Sequence, residues 1–337
     1  MALCHLAEFG DANLKSLLCV GLLALIVGCR EASPRNFSLS ATPDKDSAAR
    51  PVSKVASILG GQRGEGQPYE IVGSEVWDVP DPLSGRSYQV FIALPPSYAD
   101  RPGHRYPVLY VTDADYAFPL IRQIGRRLNG HGPKVEEFIL VGLSYAVGED
   151  GMASRRRDYT PAPPGARGGP PEAVYGLGGA YVVYLRDQVL PFVARRYRTD
   201  ENKRYFLGHS YGGLLGTQIM FTQPELFSGY ILGSPSYWFA NHYMDEKEAS
   251  FAATHKDLPA RVYMYVGQYE NVKPGDPRYT KRYNMITDAR RMSLALRSRN
   301  YPSLDIKLDV LETEDHLSVA PGGFTRGLRF LLSADRH

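Results

Sequence analysis

From about residue 69 onward, short apolar runs alternate with longer amphipathic stretches. The apolar runs have strand length: Val108-Leu109-Tyr110-Val111, Phe138 to Leu143, Tyr205-Phe206-Leu207, Tyr230-Ile231-Leu232, Val262 to Val266 and Ile306 to Val310. Most are continuous and rich in β-branched or aromatic residues, as strands covered on both faces are. Helical spacing runs over about 118–128, 178–195, 211–222, 284–299 and 323–333. Ahead of these, Trp77-Asp78-Val79 and Tyr88 to Leu94 read as two strands joined around Ser84-Gly85. The alternation predicts one α/β domain, a mostly parallel sheet of about eight strands with helices on both faces and an antiparallel N-terminal edge.

Two stretches break the pattern. Residues 145–177 contain Gly165, Gly168, Gly169 and several prolines, and are expected to form a long loop, either a surface insert or a substrate-shaping lid. At the N-terminus, Lys15 precedes an 11-residue apolar run from Leu17 to Val27, followed by Gly28-Cys29. That run is too short to span a bilayer but suits a signal-peptide core. Small residues before a cysteine resemble the bacterial lipobox, which would make Cys29 the lipidated first residue of the mature chain. An ordinary cleaved signal peptide or a misassigned start is the alternative. Residues 30–66 are poor in large apolar side chains and rich in Ser, Ala, Pro, Asp and Gly, the composition of a tether. The catalytic domain then covers 67–337. The expected location is the cell envelope, with the membrane reached through a lipid anchor; plain secretion is the alternative.

Composition narrows the function. A hydrophobic fraction of 43% and a charged fraction of 22% allow a sizeable core. The net charge is only +3, and no basic stripe with interleaved aromatics is present, which argues against nucleic acid. All three cysteines lie at or before Cys29, so the rest of the chain offers no thiolate nucleophile or zinc–thiolate site.

The candidate chemistry lies in Arg204-Tyr-Phe-Leu-Gly-His-Ser-Tyr-Gly-Gly213. Its Gly-x-Ser-x-Gly core is short enough to arise by chance, so the flanks decide its meaning. A strand precedes Ser210 and a helix follows it, the setting of a nucleophile elbow. The helix start leaves the Tyr211 amide free to bind a developing oxyanion. A serine needs a base, and His316 lies on the loop after the last strand, where the order Ser–acid–His places it. The acid belongs after the preceding strand. Glu270 fits there, with Asp276 as runner-up. The second oxyanion amide belongs to the loop after Val111, and Asp115 is the candidate.

At these residues the sequence resembles the putative-esterase family of α/β-hydrolases, which includes siderophore esterases of the enterochelin type, S-formylglutathione hydrolases and mycolyltransferases. The resemblance covers roughly 75–333. It is carried by Tyr106-Pro-Val-Leu-Tyr-Val-Thr-Asp113, Arg157-Asp-Tyr-Thr-Pro161, Leu190-Pro-Phe-Val-Ala-Arg-Arg-Tyr-Arg198, Gly208-His-Ser-Tyr-Gly-Gly213, Ser234-Pro-Ser-Tyr-Trp238 and His316-Leu-Ser-Val319. It is closest to the siderophore-esterase-like branch. It implies Ser210 as nucleophile, His316 as base and Asp115 as oxyanion amide, and some members of that branch work with a Ser–His dyad. One departure is Asp113-Ala114-Asp115, where the family usually has Asp-Gly-x. Arg157, Tyr237 and Trp238 are expected to line the substrate pocket, against a structural ion pair for Arg157 and a core position for Trp238. No metal or cofactor is implied.

These readings converge on a serine esterase working through an acyl-enzyme on a small-molecule ester. A siderophore trilactone esterase, an acyltransferase on the same fold and a non-catalytic surface binding lipoprotein are the alternatives. Oligomeric state is not legible.

Overall fold

A computed structural model of the chain describes residues 66, 68–132, 134–164, 169–170 and 172–334. The signal-like run, Cys29 and almost all of the tether lie outside the described residues. Among the described residues, no helix is long and apolar enough to cross a membrane.

All eight expected strands form. They are β1 (Ser74–Asp81), β2 (Arg86–Ala93), β3 (Tyr106–Val111), β4 (Ile139–Ala146), β5 (Thr199–His209), β6 (Gly229–Gly233), β7 (Arg261–Gly267) and β8 (Asp305–Leu311). They make one sheet in the order β1-β2-β4-β3-β5-β6-β7-β8. The β1–β2 hairpin turns at Ser84-Gly85, and β2 runs antiparallel to β4. From β4 through β3 to β8 every neighbouring pair is parallel.

The alternation of side chains assigns the two faces. Val108, Tyr110, Phe206, Tyr230, Leu232, Val262 and Met264 point into one core, and Leu109, Val111, Leu207, Ile231, Tyr263 and Tyr265 into the other. The second face is covered by α1 (Ala114–Leu128) and α8 (Val319–Leu331). The first is covered by α3 (Gly178–Tyr184), α4 (Leu190–Arg196), α5 (Tyr211–Thr222) and α7 (Met285–Ser298). A π-helical turn over Leu185–Val189 joins α3 to α4. It is followed by Pro191, which has no N–H to continue an α-ladder.

Two helices were missing from the sequence reading. One is α2 (Gly151–Asp158), inside the stretch expected to be a loop. The other is α6 (Tyr243–Thr254), whose Met244, Glu248 and Phe251 are buried at helical spacing.

Candidate active site

The elbow forms where the motif placed it. Ser210 follows the last residue of β5 and precedes the first of α5. Its backbone sits at φ 60°, ψ −116°, a sparsely populated conformation for a residue with a Cβ. The turn is held by Ser210 N–H donating to Gly233 O at 2.8 Å and Ser236 N–H donating to Ser210 O at 3.2 Å. The flanking glycines are required by space. A Cβ on Gly208 would lie 2.2 Å from the Gly212 backbone, and one on Gly212 would lie 2.3 Å from Thr112 Oγ1.

His316 and Glu270 come together as expected. His316 Nδ1 is 2.7 Å from Glu270 Oε2, which makes Nδ1–H the donor and leaves Nε2 as an acceptor. Glu270 is almost fully buried, and Oε1 accepts from Ser234 Oγ at 2.6 Å and from Gly267 N–H at 2.7 Å. Burial pushes the Glu270 carboxyl up, but the His316, Ser234 and Gly267 hydrogen bonds outweigh it and hold the group below the usual carboxylate range. Ser210 and His316 line the same cavity. Among the described residues the hydrogen-bond partner of Ser210 Oγ is Ser236 Oγ at 3.4 Å, so the resting hydroxyl is not yet engaged with the imidazole. Asp276 is elsewhere: it pairs with Arg278 at 2.7 Å and Lys273 at 3.8 Å.

Of the two amides expected to bind an oxyanion, that of Tyr211 belongs to a residue lining the cavity of Ser210 and His316, whereas Asp115 does not line that cavity and borders a second groove. Tyr211 and Asp115 each stand in the first turn of a helix, where the N–H has no intrahelical acceptor. The Asp115 carboxylate accepts from Ser144 Oγ at 3.0 Å. Ala114 is no obstacle to this loop. It is already helical, and the positive φ of 54° falls on Asp113 one residue earlier. Asp113 can hold that conformation because its carboxylate is gripped from outside the loop. Arg155 Nε and Nη2 donate to it at 2.8 and 3.2 Å, and Tyr145 Oη donates at 2.8 Å. Arg155 Nη2 also donates to His209 O at 3.2 Å. Burial opposes the charge on Arg155, but Asp113 outweighs it and keeps the guanidinium protonated.

In front of Ser210 lies a cavity of about 730 Å³. Two of the expected pocket residues are not in it. Arg157 is buried in an ion-pair network with Asp158 and Glu149 and reaches Tyr88, so it pins α2 to the sheet. Tyr237 is completely buried, and its hydroxyl bonds Thr217 Oγ1 at 2.9 Å. The cavity cations are instead Arg155, Arg156 and Arg282. Trp238 does line the cavity and stacks on Tyr283, with ring centroids 3.8 Å apart and planes 10° from parallel. The 145–177 segment supplies Tyr145, Met152, Arg155, Arg156 and Tyr175 to the wall, so it shapes the substrate space.

The arrangement suits acyl transfer: a hydroxyl on a strained turn, an imidazole oriented by a buried carboxylate, and the Tyr211 amide at the helix start next to the serine. Comparison with known proteins agrees. The Esterase family, described as putative esterase, matches residues 83–305. The ferri-bacillibactin esterase BesA of Bacillus subtilis is 28% identical over 81% of this chain and 94% of its own length. The siderophore triacetylfusarinine C esterase of Aspergillus fumigatus is 27% identical over 72% of this chain and 88% of its own. Among solved structures, the BES protein of Bacillus cereus superposes with a TM-score of 0.68 at 26% identity, covering 81% of this chain and all of that one. The siderophore hydrolase EstB of Aspergillus nidulans shares the fold, with a TM-score of 0.66 at 20% identity over 79% of this chain and 97% of its own. With an eight-stranded α/β-hydrolase sheet, a matching family and this site, the chain belongs to the putative-esterase family and is a serine-type ester hydrolase.

Proposed function

We propose that the protein cleaves esters of a bulky, aromatic and anionic substrate of the siderophore trilactone type. Ser210 Oγ attacks the ester carbonyl while His316 Nε2 takes its proton. Glu270 holds the imidazole in the required tautomer and stabilises the imidazolium. The Tyr211 and Asp115 amides receive the oxyanion. The C–O bond to the alcohol then breaks, and His316 returns the proton to the leaving oxygen. Water attacks the acyl-enzyme by the same route, releasing the acid and restoring Ser210.

The observation that carries the substrate reading is the cavity wall. Trp238, Tyr283, Tyr211 and Tyr175 present rings, and Arg155, Arg156 and Arg282 present guanidinium groups. Among the described residues Arg156 and Arg282 have no carboxylate partner, which leaves their charge for a ligand. Rings and guanidinium planes favour flat π-systems bearing anionic oxygens, as in a catecholate. The relatives named for siderophore ester hydrolysis support the same reading.

The expected result is a kcat/KM for a ferric tris-catechol trilactone at least roughly tenfold above that for 4-nitrophenyl butyrate. Trp238→Ala should raise KM for the trilactone by roughly tenfold, the loss of one stacked ring, with a smaller effect on kcat. An enzyme that leaves the trilactone intact while turning over the simple ester overturns the substrate assignment.

The same proposal puts the enzyme on the cell envelope through Cys29, on the strength of the apolar run and small residues before it. Processing at Cys29 should be blocked by globomycin; unchanged processing with the drug present removes the anchor.

A further inference from the structure

His209 is the last residue of β5 and the first variable residue of the Gly-x-Ser-x-Gly motif, yet its side chain is buried rather than offered to solvent. Its Nε2 is 2.8 Å from the carbonyl oxygen of His316. Its Nδ1 is 3.3 Å from Tyr265 Oη. A carbonyl only accepts, so Nε2 carries the proton and donates, and Nδ1 accepts from the tyrosine hydroxyl. The two histidine rings lie 4.8 Å apart.

The surroundings are shaped for this pair. A Cβ on Gly233 would lie 2.1 Å from Tyr265 Oη and 2.8 Å from His209 Nδ1, so β6 must have glycine there. The loop carrying His316 is anchored elsewhere by Tyr269 N–H to Glu314 O at 2.9 Å, and by Leu317 and Ser318 N–H to Asp315 Oδ1 at 2.8 and 2.9 Å. None of these bonds reaches the main chain of His316. Among the described residues, His209 is the donor to that carbonyl.

We infer that His209 is a positioning residue for the hydrolysis, acting by clamping the backbone of His316 to the residue next to Ser210. The inference rests on the assignment of Ser210 and His316 as nucleophile and base. The imidazole of His316 is then located twice: Glu270 fixes the ring, and His209 fixes the main chain that carries it. Because His209 and Ser210 are adjacent, any shift of the base loop is measured against the nucleophile itself.

The clamp also stays out of the proton relay. The groups facing His209 are Tyr265 from β7, Glu270 from the loop after β7, Arg155 from α2 and His316. Burial, followed by the neighbouring His316, pushes the His209 imidazole down to about 3. It is therefore neutral wherever His316 works as a base, and its donor N–H is constant with pH.

The test uses the full chain carrying His209→Leu, His209→Gln or Tyr265→Phe, with 4-nitrophenyl butyrate as substrate and a fluorophosphonate to label Ser210. Native circular dichroism and melting report the folded fraction. His209→Leu should lower kcat roughly tenfold to hundredfold with little change in KM, because a base displaced by a fraction of an ångström loses its alignment. Labelling per folded chain should slow by the same factor. His209→Gln, whose amide N–H reaches the same carbonyl, should recover most of both rates. Tyr265→Phe, which frees the ring to adopt the other tautomer, should show a smaller loss in the same direction.

Wild-type labelling and turnover in folded His209→Leu overturn the clamp, as do equal losses in the Leu and Gln variants, since those would mark a packing role. Should the Leu variant fail to fold, Tyr265→Phe decides: reduced kcat supports the clamp and wild-type kcat overturns it. Failure of the underlying assignment is separate and would appear as turnover by Ser210→Ala.

Discussion

Ser210→Ala is expected to abolish ester hydrolysis, with kcat falling on the order of 10⁵-fold or more, while the fold is kept. No other hydroxyl can replace it. Ser236 Oγ is the neighbour at 3.4 Å, but Ser236 is buried and does not line the cavity. A second substitution separates chemistry from stability. The backbone at φ 60°, ψ −116° suits glycine and strains any residue with a Cβ. Ser210→Gly should therefore be equally inactive but melt at a higher temperature, by an amount corresponding to about 1–3 kcal/mol of released strain. Esterase activity in the Ala variant would remove Ser210 as nucleophile. A Gly variant melting below wild type would show that the elbow stores no strain.

Glu270→Gln is expected to lower kcat by roughly 10³–10⁴-fold with modest change in KM. The size follows from how completely the carboxylate is used. One oxygen accepts from Ser234 and Gly267, the other from His316, and all three partners are donors. A glutamine must aim its NH₂ at one side or the other. It then faces a donor with a donor, either at the loop or at the imidazole, and favours the wrong histidine tautomer. Steady-state kinetics beside His316→Ala make the comparison. A loss below about tenfold would mean that a Ser–His dyad carries the reaction and that Glu270 is structural.

The sheet was legible because its strands are covered on both faces and leave continuous apolar runs. Ser210, His316 and Glu270 were legible because each sits just beyond such a run, and strand order along the chain fixes which loops meet. The misses share a different cause. Gly151 to Asp158 contains almost no apolar side chain, so no periodicity marks the helix; it is held by the Arg157–Asp158–Glu149 network and by Ser154 bonding Asp158 and the Ala146 amide. Within Arg155-Arg156-Arg157, sequence cannot say which guanidinium turns outward. The helix phase sends Arg157 to the sheet and Arg155 and Arg156 to the cavity. Tyr237 and Trp238 repeat the lesson in a turn, where adjacent side chains take opposite sides. For α6 the signal was present, since Met244, Glu248 and Phe251 recur at helical spacing, but Glu248 is a charged residue, buried with Arg299 paired to it from the residue that caps α7.

The division of labour between strand ends and loops has an evolutionary consequence. The proposed proton relay of Ser210, Glu270 and His316 sits on the turn after β5 and the loops after β7 and β8, next to the parallel part of the sheet. The rings and guanidinium groups facing the substrate ride largely on the 145–177 segment and the loop that carries Arg282 and Tyr283. Mutational drift in those walls can exchange one ester for another without disturbing the relay, which gives a duplicated copy room to acquire a new diet. Arg155 limits that freedom, because it belongs to the wall and also grips Asp113 and the His209 carbonyl. Lineages that diverge in substrate are then expected to vary around Arg155 while retaining it.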